Sequence, residues 1–391
     1  MPDFSSTAAP RTSAPRRWAT CTVFFCAGML FATWGVHIPT IGAIYGVDEA
    51  ALGVAMLAVG VGALLGLMQA GRLIGRFGVR RVSWVGGATA ALAIALLLSM
   101  PSFTALLGLL VLFGAGSSVL DVAMNAQACE MERLHGRPMM SGFHGMFSLG
   151  GMAGAALGSA VLHTGASALT HVLAVALGNA LALAWAGSCM LAHVRAEVGQ
   201  RHEKFLLPRG ALLLLGVMAA LGFMVEGSVY DWSVLYMQKE VGSSQNVAAL
   251  AYASFSATMA ITRFAGDWLR ARFFSAKLLR ASALLTALAM VMVLMADQAW
   301  VALVGFALVG VGLANVAPVL FSAAAQVKGV ASAQGIASVA SIGYLGFMAG
   351  PPAIGFVAHA SSLTAALYGV VALAALLALG ATHAIRVAER N

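Results

Sequence analysis

The sequence is dominated by apolar stretches of about twenty residues or more, which follow one another with short polar connections. A helix needs about 20 apolar residues to cross the hydrocarbon core of a bilayer, and twelve stretches meet that length. Only 9% of the 391 residues are charged, against about 25% in soluble proteins, so a soluble fold could not cover its surface. The stretches are apolar on all sides, which excludes the alternating strands of an outer-membrane barrel. The sequence therefore predicts an all-α polytopic membrane protein with twelve transmembrane helices.

The twelve predicted segments, numbered in chain order, fall into two groups of six. The longest polar interruption separates the groups, and the predicted organisation is a disordered cytoplasmic tail (1–17), an N-terminal six-helix bundle (18–192), a cytoplasmic linker (193–210) and a C-terminal six-helix bundle (211–391). The segments are 18–43, 49–73, 82–100, 103–127, 139–162, 168–192, 211–237, 244–268, 276–296, 299–322, 332–358 and 362–385.

The basic residues provide an independent test of this number of segments. If the N-terminus is cytoplasmic, twelve spans place every lysine and arginine except Lys239, out of 22, on the cytoplasmic side. Lys and Arg collect on that side of membrane proteins, and a wrong number of spans would scramble the partition. We therefore expect a multi-pass protein of the bacterial cytoplasmic (inner) membrane with both termini cytoplasmic. The net charge of +8 then reflects topology, and no nucleic-acid partner is expected.

Two sequence matches indicate an internal repeat. The run GRLIGR (71–76) corresponds to TRFAGD (262–267), and SLGGMAGAALG (148–158) corresponds to YLGFMAGPPAI (344–354). The first pair lies on segments 2 and 8 and the second on segments 5 and 11, the same ordinal positions in each half. Two parallel six-helix pseudo-repeats are the arrangement of the major facilitator superfamily.

The same runs carry a resemblance to that superfamily. GRLIGRFGVRRV (71–82) resembles its cytoplasmic motif, except that Gly75 stands where an aspartate is usual, and Asp267 is expected to supply part of the missing charge network. The resemblance implies a cytoplasmic gate formed by Arg72, Arg76, Arg263 and Asp267. A closer resemblance to the YbjJ/MosC-like branch, distantly akin to the fucose permeases, is carried by LDVAMNAQA (120–128), FHGMFSLGG (143–151), EGSVYDWS (226–233) and GYLGFMAGPP (343–352). This branch implies a transporter, with sugar or inositol derivatives as the substrate hint.

Ionisable side chains within the apolar segments are the first functional candidates, because they are costly in a membrane. Asp121 on segment 4 and Glu226 on segment 7, which lie on opposite halves, are predicted to carry proton coupling. No lysine or arginine occupies the middle of any segment, so these acids are expected to lack a deep basic partner. A carboxyl that can gain and lose a proton inside a water-filled cavity is what a proton-coupled transporter requires. The alternative is a structural role, such as binding free backbone groups.

The residues predicted to contact the solute are polar or aromatic. The resemblance implies that segments 1, 4, 7 and 10 line a central cavity, and most of these residues lie on them. Aromatic side chains also form interfacial belts, and buried histidines often bond to backbone carbonyls, so structural roles are the alternative here too. The predicted set is Trp34, His37, Asn125, His144, Tyr230, Asp231, Asn315 and Tyr344.

These features favour a secondary active transporter that moves a small polar, sugar- or polyol-like solute by alternating access, coupled to protons. A proton-coupled efflux antiporter for drugs or metabolites and a substrate-sensing receptor on a transporter fold stay open as alternatives. The sequence contains no P-loop pattern, no HExxH and no metal-type cysteine spacing, so we expect no enzymatic activity, cofactor or metal. The expected partners are the solute, protons and the lipid bilayer, and the chain is expected to be a monomer.

Overall fold

A computed structural model describes residues 14–192 and 209–390, and these residues form fourteen α-helices without a strand. Most of the predicted tail (1–17) and linker (193–210) lies outside the described residues, and the first helix begins four residues earlier than predicted. The helices are α1 Ala14–Tyr45, α2 Glu49–Phe77, α3 Val79–Leu96, α4 Phe103–His135, α5 Met140–His163, α6 Ala168–Cys189, α7 Gly210–Lys239, α8 Gln245–Phe264, α9 Gly266–Arg272, α10 Ser275–Leu294, α11 Ala299–Leu313, α12 Val316–Ala324, α13 Ser332–Ala360 and α14 Leu363–Arg390.

The helices reproduce the twelve predicted segments. Eleven spans in the described part of the chain are long and apolar enough to cross a membrane, with α11 and α12 joined as one span, Ala299–Ala324. The twelfth is α3, an 18-residue helix whose mean hydropathy is lowered by Arg80 and Arg81 in its first turn. The short helix α9 was not predicted as a separate element, because it continues the predicted segment 8 after a break at Ala265. The fold is therefore a twelve-span helical membrane bundle.

Glycine contacts show that the two halves are built alike. A Cβ atom on Gly150 would lie 1.9 Å from the Phe25 carbonyl oxygen, and one on Gly346 would lie 2.5 Å from the Ala220 carbonyl oxygen. Helix α5 therefore packs on α1 as α13 packs on α7, with the two glycines at matching positions of the aligned runs. Small residues allow such close backbone approach between membrane helices.

A second pair of contacts follows the same rule. A Cβ on Gly114 would lie 2.0 Å from the Val59 carbonyl oxygen, which brings α4 against α2. In the other half, a Cβ on Gly310 would lie 2.2 Å from the Phe255 carbonyl oxygen, which brings α11 against α8. The predicted internal repeat thus has a physical counterpart in the packing of each half.

The bundle has two ends that differ in charge. One end, which we call the basic end, holds the arginines at the end of α2, at the start of α3 and along α9. The first residue of α1 and the last residue of α14 also lie there. The opposite end holds contacts between the two halves. Lys239 Nζ lies 2.5 Å from Glu49 Oε1, and the Gln245 amide donates to Thr40 Oγ1 at 2.6 Å. These contacts close the bundle at the opposite end.

Two seams, related to each other by the repeat, join the halves along their length. In the α2–α13 seam, a Cβ on Gly53 would lie 3.2 Å from the Pro352 carbonyl oxygen, and one on Gly355 would lie 2.6 Å from that of Glu49. Both contacts are near the opposite end. Further along α2, Leu64 and Leu67 are 40% and 42% exposed and line a cavity instead. This seam is therefore closed at one end only.

The α5–α8 seam continues to the basic end. A Cβ on Gly151, midway along, would lie 3.1 Å from Ser256 Oγ, and one on Gly145 would lie 2.7 Å from the Phe264 ring. Beyond α8, Arg270 of α9 donates to Ser141 Oγ of α5 at 2.9 Å. The halves are thus held together along one seam and part at the basic half of the other.

Candidate solute-binding site

A cavity of about 920 Å³ lies between the two halves. Helices α1, α2, α4 and α5 form one wall, and α7, α8, α9, α12 and α13 form the other. The cavity begins at Trp34 and Asp231, which lie in the half of the bundle nearer the opposite end, and reaches Glu132 and Arg270 at the basic end. The residues that close the opposite end do not line it. A solute could therefore enter this conformation from the basic end.

Asp121 lies on the α4 wall and faces the other half across the cavity. Its carboxylate accepts a hydrogen bond from Asn125 Nδ2 at 3.2 Å, and the Tyr344 hydroxyl of α13 lies 3.5 Å from its second oxygen. Asn125 also donates to the Asp121 carbonyl at 2.9 Å and does not line the cavity. The structure therefore places Asn125 behind the predicted solute contacts, where it orients Asp121 from the next turn of the helix.

Glu226 of α7 has a basic partner. Arg263 Nη2 lies 3.1 Å from Glu226 Oε1, and both side chains are 12% exposed. The expectation that the mid-span acids lack a deep basic partner is wrong for Glu226. The backbone of Arg263 belongs to the last turn of α8, but a long arginine side chain can extend well away from its own backbone.

Arg263 therefore contributes to the cavity, although the resemblance assigned it to a gate. Its Nη1 atom donates to Ser148 Oγ of α5 at 2.8 Å, so the guanidinium joins the two halves while it holds Glu226. Sequence reasoning missed Ser148 and this role of Arg263. The only available signal was that Arg263 lies at the position of the repeat that Arg72 occupies in the first half.

A second carboxylate link between the halves lies deeper. Trp34 Nε1 of α1 donates to Asp231 Oδ1 of α7 at 3.1 Å, and both residues line the cavity. Tyr230 beside it also lines the cavity, with its ring 5.1 Å from that of Tyr252 and 4.9 Å from that of Phe255. Tyr252 lines the cavity as well and was not predicted, because nothing in the sequence of α8 shows which face meets α7.

Two further predicted residues line the cavity from helices other than α4 and α7. His144 of α5 lies with its ring edge-on to Phe24, the ring centroids being 5.4 Å apart. Asn315 lies at the break between α11 and α12, and its Oδ1 atom is buried without a hydrogen-bond partner among the described residues. Asn315 is only 2% exposed, so this oxygen is covered in the present conformation although the residue borders the cavity.

His37, predicted to contact the solute, lies elsewhere. It is fully buried, does not line the cavity, and forms a hydrogen bond with His171 of α6. The correction has a simple cause, because His37 is one turn closer to the opposite end than Trp34 and therefore lies above the closed end of the cavity. No sequence pattern links two histidines that are 134 residues apart.

The predicted gate residues are divided between two environments. Asp267 lines the mouth of the cavity, pairs with Arg270 and accepts from Ser141 Oγ of α5 at 3.2 Å, so it joins the halves at the basic end. Arg72 and Arg76 are exposed on α2, and Arg76 lies over the Phe77 ring at 5.2 Å. The structure thus brings Asp267 to the cavity and leaves the two α2 arginines outside it.

Comparison with known proteins agrees with this architecture. Residues 20–327 match the sequence profile of the Major Facilitator Superfamily. The chain belongs to this superfamily. An uncharacterized transporter of the superfamily from Yersinia pestis is 36% identical over 94% of this chain and 95% of its own length. The membrane protein MosC of Rhizobium meliloti is 31% identical over 91% of this chain and 86% of its own length, which confirms the resemblance to the MosC-like branch.

Several solved transporter structures share the fold. A bacterial homologue of the human lysosomal transporter Spinster, in an inward-facing and unoccupied conformation, superposes with a TM-score of 0.74 at 14% identity over 96% of this chain and 98% of its own. A D-xylose–proton symporter gives a TM-score of 0.73 at 14% identity over 93% and 96% of the two chains. The fucose–proton symporter FucP of Escherichia coli gives 0.62 at 17% identity over 96% and 99%.

Proposed function

We propose that this member of the Major Facilitator Superfamily is a secondary active transporter of the bacterial cytoplasmic membrane, which moves a small polar organic solute by alternating access rather than transforming it. One observation carries the proposal: the cavity between the halves reaches the basic end, while contacts between the halves close the opposite end. If the basic end is cytoplasmic, as the distribution of Lys and Arg requires, this is the inward-facing state. Both termini are then cytoplasmic, and the protein works as a monomer.

The chemistry of the cavity favours a solute with hydroxyl groups and an apolar ring face. Its volume is within the range of about 300–1,000 Å³ that is typical of small-molecule sites. Asp121 and Asp231 present acceptors for hydroxyl groups, and the ring of Tyr344, which is 44% exposed, offers a face for stacking. Sugars and polyols combine these features. Two of the structural neighbours are symporters for fucose and D-xylose, which is compatible with this choice.

Proton coupling is proposed to act through Asp121 and Glu226. A proton on Glu226 would remove the charge that holds Arg263, and Arg263 would then be free to bind a solute oxygen or to hold Ser148 more firmly. A proton on Asp121 would weaken its acceptance of the Tyr344 hydroxyl, one of the links across the cavity. Protonation of either acid therefore changes a contact that the solute or the opposite half must replace.

The first experiment identifies the solute and then tests coupling. A thermal-shift screen of the purified protein against sugars, polyols, amino acids and cationic drugs selects a stabilising compound for uptake assays in proteoliposomes. Asp121→Asn or Glu226→Gln should abolish accumulation driven by a pH gradient while exchange down a solute gradient persists, because the amide mimics the protonated acid. Glu130→Gln is the matched control, because Glu130 lies on the same helix as Asp121 but at the basic end, and this variant should retain accumulation.

Several outcomes would contradict parts of the proposal. Accumulation by the double amide variant in response to a pH gradient would exclude these acids as the coupling site. Binding without any transport would favour the receptor alternative. Export of the solute driven by protons that move inward, without uptake, would favour the efflux alternative.

Reporter fusions test the topology. Fusions at the linker (193–210) and after the last residue should behave as cytosolic, and one at position 240 should behave as periplasmic. A periplasmic linker would overturn the topology.

A further inference from the structure

A series of hydrogen bonds runs from Gln245 of the second half into the first half of the protein. It lies near the opposite end, where the bundle is closed, and outside the solute cavity. Gln245 Nε2 of α8 lies 2.6 Å from Thr40 Oγ1, which lies 3.2 Å from His37 Nδ1. His37 Nε2 is 2.9 Å from His171 Nδ1, and His171 Nε2 is 3.1 Å from the Gly154 carbonyl oxygen. Both histidines are fully buried, whereas Thr40 and Gln245 are partly exposed. The series therefore leads from the edge of the opposite end to a buried histidine pair.

The groups at the two ends of this hydrogen-bond series, the Gln245 amide and the Gly154 carbonyl, fix the direction of every bond between them. The Gly154 carbonyl can only accept, so His171 carries its hydrogen on Nε2 and a neutral His171 accepts at Nδ1. His37 must then donate from Nε2 and accept at Nδ1, which requires the Thr40 hydroxyl to be the donor. The Gln245 amide nitrogen can only donate, and Thr40 Oγ1 accepts from it. The neutral pair is thus fully satisfied with both rings in the Nε2–H form.

The surroundings leave room for the rings and supply no charge to them. A Cβ on Gly158 would lie 2.8 Å from His171 Cε1, so this glycine makes the space for the ring. The titratable groups on neighbouring elements are engaged elsewhere: Asp231 of α7 with Trp34, Glu49 of α2 with Lys239 of α7, and His163 of α5 with Asn246 of α8. Neither α3 beyond Arg81 nor α4 before Asp121 contains a titratable residue.

We propose that the His37–His171 pair is a proton-binding site, separate from the cavity acids, whose loading loosens the contact between the halves at the closed end. A proton added to the pair occupies Nδ1 of His37, where it would face the hydroxyl hydrogen of Thr40. The hydroxyl hydrogen must turn away, and Thr40 Oγ1 must then accept from His37 Nδ1 as well as from Gln245. Because Thr40 Oγ1 is also the atom that Gln245 of the other half binds, this turn disturbs the link between the halves.

The first test reads the tautomers directly. The protein is reconstituted in lipid with ¹⁵N-labelled histidine, and the His37 and His171 signals are assigned by their loss in His37→Gln and His171→Gln. At about pH 8 both rings should show Nε2–H and an unprotonated Nδ1, and at about pH 4 one ring should show both nitrogens protonated. An Nδ1–H tautomer at high pH, or no change in either ring at low pH, would overturn the proposal.

The second test measures the separation of the halves. Spin labels at Thr164→Cys and Ser244→Cys, in a background with the four native cysteines replaced by alanine, report the distance across the closed end. Acidification should increase the separated population several-fold in the parent protein. The variant His37→Gln/His171→Gln should lose this response, because glutamine side chains can donate and accept in the same directions but cannot take the proton. Retention of the response in that variant would overturn the proposal.

Two further variants separate this site from its neighbours. His163→Gln removes an exposed histidine whose bond to Asn246 also crosses between the halves, and it should keep the full pH response. Thr40→Val leaves both histidines in place and should raise the separated population at every pH. The inference rests on the proposed function only in assuming that the halves part at this end. A protein that transports its solute but shows no histidine-dependent response contradicts the inference alone, and a wild-type protein without transport contradicts the proposed function.

Discussion

The α2–α13 and α5–α8 seams are equivalent in the repeat, yet they hold the halves together by different means. Glycines at the opposite end close the α2–α13 seam by backbone contact, and beside them His359 Nδ1 of α13 lies 3.1 Å from Oδ2 of Asp48, the N-cap of α2. The α5–α8 seam adds polar links, from Arg263 to Ser148 and from Arg270 to Ser141. The two repeats therefore share the same close helix packing, but the charged contacts between the halves differ from one seam to the other.

The divergence is clearest in the two arginines at matching positions. Arg72 is exposed at the end of α2, whereas Arg263 at the end of α8 reaches the cavity and holds Glu226. The difference follows from their neighbours, because α8 stays against α5 to the basic end and α2 departs from α13. One copy of the motif is thus part of the site, and the other lies at the surface.

The largest expected effect comes from breaking the buried ion pair. Arg263→Ala leaves the Glu226 carboxylate without its partner and should destabilise the protein by about 3–5 kcal/mol, because removal of one member of a buried pair strands the other charge. The double variant Glu226→Gln/Arg263→Gln should recover most of that loss. Unfolding in detergent, monitored by thermal denaturation, measures both.

The matched variant in the other seam is Arg72→Ala, which should change stability by less than about 0.5 kcal/mol because Arg72 is exposed. Equal destabilisation by Arg72→Ala and Arg263→Ala would show that the two arginines are equivalent after all. A double variant no more stable than Arg263→Ala would show that the unpaired charge is not the cause.

A smaller effect is expected from blocking the α2–α13 seam. Gly53→Trp forces a large side chain against the Pro352 backbone and should favour the state that is open at the opposite end. Overpacking typically costs about 1–3 kcal/mol, which corresponds to a shift of about 5- to 150-fold between two states. Labelling of a cysteine placed at Trp34 by a membrane-impermeant reagent from the outside measures this shift. Gly108→Trp, at a position with open space around it, should leave labelling unchanged.

The smallest effect is expected at the ion pair beside that seam. Lys239 is 49% exposed where it meets Glu49, and exposed pairs contribute about 0–1 kcal/mol. Lys239→Gln should therefore alter the labelling of the same cysteine by no more than about fivefold, and added salt should have a similar effect on the parent protein. A change as large as that of Gly53→Trp would mean that charge, not backbone packing, closes this seam.

Much of the fold could be predicted from the sequence because the bilayer imposes it. Segment length and the placement of basic residues were sufficient for the twelve spans, and the aligned runs around Gly150 and Gly346 were sufficient for the repeat. The break at Ala265 was not predicted, since no proline marks it and the charged residues on either side of it, Arg263 and Asp267, were assigned to a gate. Tertiary packing decided that point.

The site could be predicted in part, for a similar reason. A rare acid in an apolar segment is visible in the sequence, so Asp121, Glu226 and Asp231 were found. The partners of such acids come from other helices, and sequence spacing does not reveal them. Arg263 was assigned by its backbone position rather than by the reach of its side chain, and the pairing of His37 with His171 depends on the approach of α6 to α1.

The close backbone contacts within each half have a mechanical consequence. Because α1 meets α5 and α2 meets α4 at glycines, with no side chains between the backbones, neither helix of a pair can slide past its neighbour without a clash. Each half must then turn as one stiff lever about the cavity, and the two arms together are as long as α7, about 45 Å for its 30 residues at 1.5 Å per residue. A small displacement of the helices beside the solute therefore becomes a large displacement at both ends of the bundle.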